Sequence, residues 1–224
     1  MKQYSYLALG DSYTIGEQVL PEENFPNQTV RLLNKTSDGA DSRRQGFAQT
    51  PSAAISPDGG FHFAAPEIIA TTGWTTDELN AAIDAANISK SYDIVSLLIG
   101  VNNQYRGRPV DNFATEFEGL LQRAIHFANN IPHHVFVVSI PDWGVTPFAE
   151  GRDSKKIGEE IDAYNEVCKM TAEKFHTHFI DITLSQRTDG NKEEFLATDK
   201  LHPSGKEYTK WATQLANKIK TVIG

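Results

Sequence analysis

Apolar and polar positions along this chain follow two periods, one of strands and one of helices. Tyr4 to Leu9 is a nearly unbroken apolar run that ends in Gly10-Asp11-Ser12, which predicts a first strand delivering a serine to the tip of a sheet. Pro26 suits the first turn of a helix running to about Leu33 or Asn34. Phe61 to Thr71 contains a second strand, centred on Glu67 to Ala70. Thr75-Thr76-Asp77-Glu78 then has the form of a capping box, opening a helix with Leu79, Ala82, Ile83 and Ala86 on one stripe. Asp93 to Ile99 predicts a central strand covered on both faces, followed by a helix whose Phe113, Phe117, Leu120, Leu121, Ala124, Ile125 and Ala128 recur at helical spacing and which ends before Pro132. Val135 to Ile140 and His178 to Ile182 predict two further strands. Between them lies a helix carrying Ile161, Tyr164, Val167, Cys168 and Phe175, and a last helix carries Tyr208, Trp211, Ala212, Leu215 and Ile219.

Strands alternating with helices five times predict an α/β protein with a five-stranded parallel sheet and helices on both faces. Ligands of such sheets bind outside the carboxyl ends of the strands. Ser12, Gly73, Asn102 and the Trp143 loop each follow a predicted strand, so they are expected to converge on one edge. No repeat and no second domain is apparent, so residues 1–224 are expected to form one domain. Residues 35–60 carry no sustained period and are rich in Gly, Ser, Asp, Pro and Ala. They are expected to be an inserted surface loop lying away from the serine.

Charge and composition narrow the partners. A formal net charge of −8 argues against nucleic acid, whose phosphates need a basic surface. The longest apolar run, Ile94 to Ile99, is too short to span a membrane, so no membrane partner is expected. The first residues carry no basic segment followed by a signal-like apolar segment, which suggests a cytoplasmic location. The single cysteine, Cys168, rules out an intramolecular disulfide framework and falls in an apolar helical pattern, so a buried thiol is expected. His133-His134 and His176-x-His178 bring no obvious third ligand, so no metal is expected. Neither a Walker loop nor Gly-x-Gly-x-x-Gly is present, so no cofactor is expected either.

Gly10-Asp11-Ser12, Gly73, Gly100-Val101-Asn102 and Asp199-x-x-His202 together resemble the SGNH hydrolases, or GDSL esterases and lipases, in order and across nearly the whole chain. Any one block alone is an ordinary turn or cap; the likeness lies in the four together. The α/β-hydrolase elbow Gly-x-Ser-x-Gly is absent. The resemblance implies a three-layer flavodoxin-like sandwich and a serine esterase that works through an acyl-enzyme without cofactor. It implies Ser12 as nucleophile, His202 as base and Asp199 as its partner, with an oxyanion site made of the Ser12 and Gly73 N–H groups and the Asn102 amide. Asp11 is expected to hold the turn rather than to serve as the acid. One position departs from the family pattern Gly-x-Asn-Asp: Asn103 stands where the acid is usual, which alters the charge and hydrogen bonding beside the pocket.

The expected partner is a small-molecule ester. Short acyl groups, such as acetyl esters of carbohydrates or small molecules, are favoured because no long apolar groove is evident. Lysophospholipid or thioester substrates are the alternative, as is a non-catalytic binding module on the same fold; an acyltransferase uses the same residues. Asn103, Arg106 and Trp143 are candidate substrate contacts, with Phe148 beside Trp143 as a second aromatic wall. Arg106 and Arg108 suit either an anionic substrate group or protein acids, and pairs with protein acids are the commoner outcome. Trp74 is expected to be partly core. The chemistry implies nothing about the natural substrate or the oligomeric state.

Overall fold

The computed structural model describes residues 2–34 and 61–224. The expected surface loop at 35–60 lies outside the described residues. In chain order the elements are β1 (Gln3–Tyr4), β2 (Tyr6–Asp11), α1 (Ser12–Ile15), α2 (Phe25–Leu33), β3 (His62–Phe63), β4 (Glu67–Thr71), α3 (Thr76–Ala86), β5 (Ile94–Leu98), α4 (Val101–Tyr105), α5 (Val110–Phe127), β6 (Val135–Val138), α6 (Ser154–Lys174), β7 (His178–Ile180), α7 (Thr183–Asp189) and α8 (Gly205–Ile223).

The main sheet is parallel, in the order β4-β2-β5-β6-β7. Leaving out the short β1 and β3, which pair with each other, this is the flavodoxin-like order, with its switch point between β2 and β5. Helices α2 and α8 pack together on one face, and α5 packs against α3 and α6 on the other. The right-handed crossovers of a parallel sheet require such a division.

Burial follows position in the sheet. Every residue of β2 and β5 is buried, whereas the edge strand β4 is half exposed. The long helices bury the predicted stripes, with Phe113, Phe117, Leu120 and Leu121 from α5 and Tyr208, Trp211, Leu215 and Ile219 from α8 all in the core. Cys168 is also buried there, and burial pushes its thiol far up from the usual range. Trp74 is partly buried against the core.

The strands stop earlier than the apolar runs. After Val138 the chain leaves the ladder, because the N–H of Ile140 donates to the side chain of Asn165 at 2.7 Å rather than to a strand. Three helices escape the sequence pattern. Helices α1, α4 and α7 have 4, 5 and 7 residues, so each makes two turns at most and shows no period. Two of them carry the site.

Candidate active site

Ser12 is delivered by β2 and opens α1. Asp11 caps that helix, its Oδ1 accepting the Tyr13 N–H at 3.0 Å. Gly10 must lack a side chain here: a Cβ would come within 2.1 Å of Thr14 Oγ1 and 2.4 Å of the Leu98 carbonyl. The turn at the serine therefore sits directly on the neighbouring strand. As the first helical residue, Ser12 has a backbone N–H with no acceptor inside the helix.

His202 reaches this serine from the far end of the chain. Its Nε2 lies 2.9 Å from Ser12 Oγ, across 190 residues of sequence, and its Nδ1 lies 2.5 Å from Asp199 Oδ2. Asp199 also accepts the N–H groups of Leu201 and His202, both at 3.0 Å, so a single carboxylate closes the turn and orients the ring. Between them Lys200 takes a left-handed backbone, φ +60°. A bridge between Leu196 and Pro203, with the Ala197 N–H on the His202 carbonyl at 2.8 Å, pins the turn from outside. The Tyr13 ring covers one side of the imidazole, their centroids 4.9 Å apart. Burial pushes the Asp199 carboxyl up, but the bonds from the His202 ring and the two N–H groups outweigh it and hold the group below its ordinary value.

Gly73, in the turn after β4, and Asn102, in α4 just beyond β5, line the same pocket as the serine. Gly73 has φ +84°, a left-handed turn that favours glycine. Among the described residues no acceptor is found for its N–H. Its carbonyl is held by Arg106 Nη2 at 2.6 Å, and the next carbonyl, of Trp74, accepts the Asn102 amide at 2.9 Å. The Gly73-Trp74 turn is thus clamped by two residues of the segment after β5.

Ser12, Tyr13, Gly73, Val101, Asn102, Leu201 and His202 line a pocket of about 210 Å³, walled on its other side by Tyr105, Trp143 and Phe148. Trp143 is fixed in place: its indole N–H donates to Gln104 Oε1 at 2.7 Å, and Gln104 donates in turn to Glu160 at 2.7 Å. Asp142, which caps the Trp143 turn, is held by Arg187 at 2.8 Å. A larger polar cleft of about 400 Å³, with Asp162, Glu166, Asp181 and Arg187 in its walls, contains no serine–histidine pair.

Two of the expected substrate contacts lie elsewhere. Asn103 is wholly buried and faces away from the pocket, its Oδ1 accepting the Thr76 N–H at 3.1 Å and its amide donating to Thr76 Oγ1 at 2.6 Å. The Thr76 hydroxyl donates onward to Glu116. An amide can donate to that hydroxyl and leave its proton for Glu116, whereas a carboxylate could only accept; this is what the departure from the family pattern changes. Arg106 is also not in the pocket wall. It spans Gly73 and Glu78, the capping-box acid of α3, whose other oxygen accepts the Thr75 N–H. The helix cap supplies the arginine's partner, so its donors serve the protein. Arg108 likewise pairs with Asp77 at 2.6 Å. Sequence reasoning does not single out Tyr13, Gln104 or Tyr105. Recognising α4 would place Tyr105 one turn beyond Val101, on the pocket side.

Among the described residues no helix is long and apolar enough to cross a membrane, and no group of three or more His, Cys, Asp or Glu is placed to hold a metal.

A hydroxyl, an imidazole and a carboxylate in hydrogen-bonded sequence, at the carboxyl edge of a parallel α/β sheet, form the arrangement of a serine hydrolase. The chain belongs to the GDSL-like Lipase/Acylhydrolase family, whose model matches residues 8–210, and that membership makes it a carboxylic ester hydrolase. Among solved structures, TesA superposes with a TM-score of 0.68 at 14% identity, covering 99% of this chain and 100% of that one. A lipase/acylhydrolase from Enterococcus faecalis gives 0.66 at 18% identity, over 99% and 96% of the two chains. Axe2, an acetylxylan esterase from Geobacillus stearothermophilus, gives 0.62 at 19% identity, over 99% and 94%. These likenesses carry the fold. No curated protein matches the sequence.

Proposed function

We propose that this protein hydrolyses short-acyl carboxylic esters, such as acetyl esters of carbohydrates or small molecules, through an acyl-enzyme on Ser12. The observation that carries this reading is the unbroken chain Ser12 Oγ, His202 Nε2, His202 Nδ1, Asp199 Oδ2, opening into the pocket. Ser12 Oγ attacks the acyl carbon while His202 takes its proton. Asp199 holds the tautomer with the proton on Nδ1 and stabilises the imidazolium that forms. Negative charge gathering on the acyl oxygen meets the N–H groups of Ser12 and Gly73 and the second amide hydrogen of Asn102, the first being committed to Trp74. His202 then returns the proton to the leaving alcohol, and water repeats the sequence in reverse to release the acid. The size of the pocket supports a short acyl group. A cavity of about 150 Å³ holds a benzene, so about 210 Å³ accommodates an acyl group of a few carbons.

The test is hydrolysis of p-nitrophenyl esters from acetate to decanoate by wild type and Ser12→Ala. Activity that peaks at the shortest chains and falls on the order of 10⁶-fold in kcat on losing the serine supports the reading. Activity rising toward decanoate would move it to a lipase-like or lysophospholipase-like acyl hydrolase. Retained turnover in Ser12→Ala would place the nucleophile elsewhere.

A further inference from the structure

The geometry points to Arg152 as the recognition point for an anionic group, a carboxylate or a phosphate, on the ester that enters the pocket. This deepens the esterase reading and rests on it for the site. The Arg152 guanidinium lies 5.1 Å from the ring centres of both Tyr105 and Trp143 and 5.5 Å from that of Phe148. All three rings are walls of the pocket. The rings meet edge to face, at 5.3 Å for Tyr105 on Trp143 and 6.1 Å for Trp143 on Phe148, so the cation rests on a preformed aromatic platform at the mouth.

The platform holds the cation without neutralising it. Of the five guanidinium N–H groups, one nitrogen, Nη2, has an acceptor among the described residues, the Tyr105 hydroxyl at 3.1 Å. Arg106, Arg108, Arg123 and Arg187 each reach a carboxylate; among the described residues Arg152 reaches none. A planar fork with free donors, held by aromatic faces rather than by an ion pair, loses little freedom when it binds an oxoanion.

Two matched ester pairs test this. Phenyl acetate against 4-acetoxybenzoate places the anion on the alcohol half, and 4-nitrophenyl butyrate against 4-nitrophenyl hemisuccinate places it on the acyl half. In at least one pair, the anionic-to-neutral ratio of kcat/KM should fall about tenfold or more in Arg152→Gln, since charge-assisted bonds are lost, and recover in part in Arg152→Lys. A ratio unchanged by Arg152→Gln in both pairs overturns the proposal and leaves Arg152 as a clip between loops. Binding without turnover separates this from the esterase reading. Tryptophan fluorescence titrated with benzoate, phenyl phosphate and benzyl alcohol should show wild type favouring an anion over the alcohol and Arg152→Gln losing that preference. The stronger of benzoate and phenyl phosphate identifies the anion. Equal binding of anions and alcohol by wild type overturns the proposal even if esters are hydrolysed. Absent hydrolysis with anion preference intact counts against the esterase reading alone.

Discussion

Two aspartates stand close to the serine, Asp11 before it at the end of β2 and Asp199 behind the imidazole in the turn before α8, and their surroundings give them opposite character. Asp199 accepts three hydrogen bonds, from the N–H groups of Leu201 and His202 and from the His202 ring, and is held below its ordinary pKa. Asp11 is wholly buried, accepts one bond from the Tyr13 N–H, and has no partner for Oδ2 among the described residues; burial pushes its carboxyl up to about 7. Proximity in sequence to the nucleophile therefore does not choose the acid. Donors choose it: a carboxylate stays charged inside a protein where N–H groups converge on it, and takes up a proton where they do not.

The sharpest way to break this contrast is to exchange each carboxyl for an amide. Asp199→Asn should lower kcat by about 10⁴, because the amide no longer holds the Nδ1 proton in place. Steady-state rates on a short ester check it, and a drop of less than tenfold would remove Asp199 from the role assigned to it.

Asp11→Asn should act instead on stability, and in a direction set by pH. A group whose folded pKa is raised contributes stability that is full below the unfolded value, near 3.8, and lost as pH climbs through about 7. Between pH 4 and pH 8 the wild type should therefore lose up to on the order of 4 kcal/mol from this one group, an upper bound set by the gap between its unfolded and folded pKa. The variant should lack that loss, so its stability relative to wild type rises with pH. Urea unfolding at pH 4.5, 6 and 8 measures it; parallel curves for the two proteins would mean Asp11 is charged throughout.

Charge that appears only during reaction extends the comparison to the opposite wall. Asn102→Ala should cost about 3 kcal/mol in kcat with little change in KM, since its amide acts on the developing oxyanion. An effect confined to KM would make Asn102 a ground-state contact. Arg106→Gln, which loosens the grip on the Gly73 carbonyl, should lower kcat by about tenfold or less while KM holds, as expected of a half-exposed bond worth about 1 kcal/mol. A larger change in KM than in kcat would return Arg106 to the substrate contacts.

The amphipathic stripes of α3, α5, α6 and α8 and the apolar runs of β2, β5 and β6 are legible in the sequence, because a core imposes its period on whatever covers it. The short helices α1 and α4 are not legible, since one or two turns leave no period to detect. Without α4, Asn103 and Arg106 fall on the same side as Asn102. In fact successive helical residues point some 100° apart, so Asn103 turns inward to Thr76 while Arg106 returns to the Gly73 turn.

By itself, the sequence determined the alternation of strand and helix, the residue types able to supply a nucleophile, a base and an acid, and the strand ends at which Ser12, Gly73 and Asn102 stand. These are local properties, set by periodicity and by the chemistry of single side chains. Tertiary structure alone decided that Asn103 turns away from the pocket to Thr76, that Arg106 grips the Gly73 turn, and that Arg152 rests on the aromatic rim. Those outcomes depend on partners 27 to 47 residues apart, brought within reach only when the loops at the carboxyl edge of the sheet pack together and water is excluded around them.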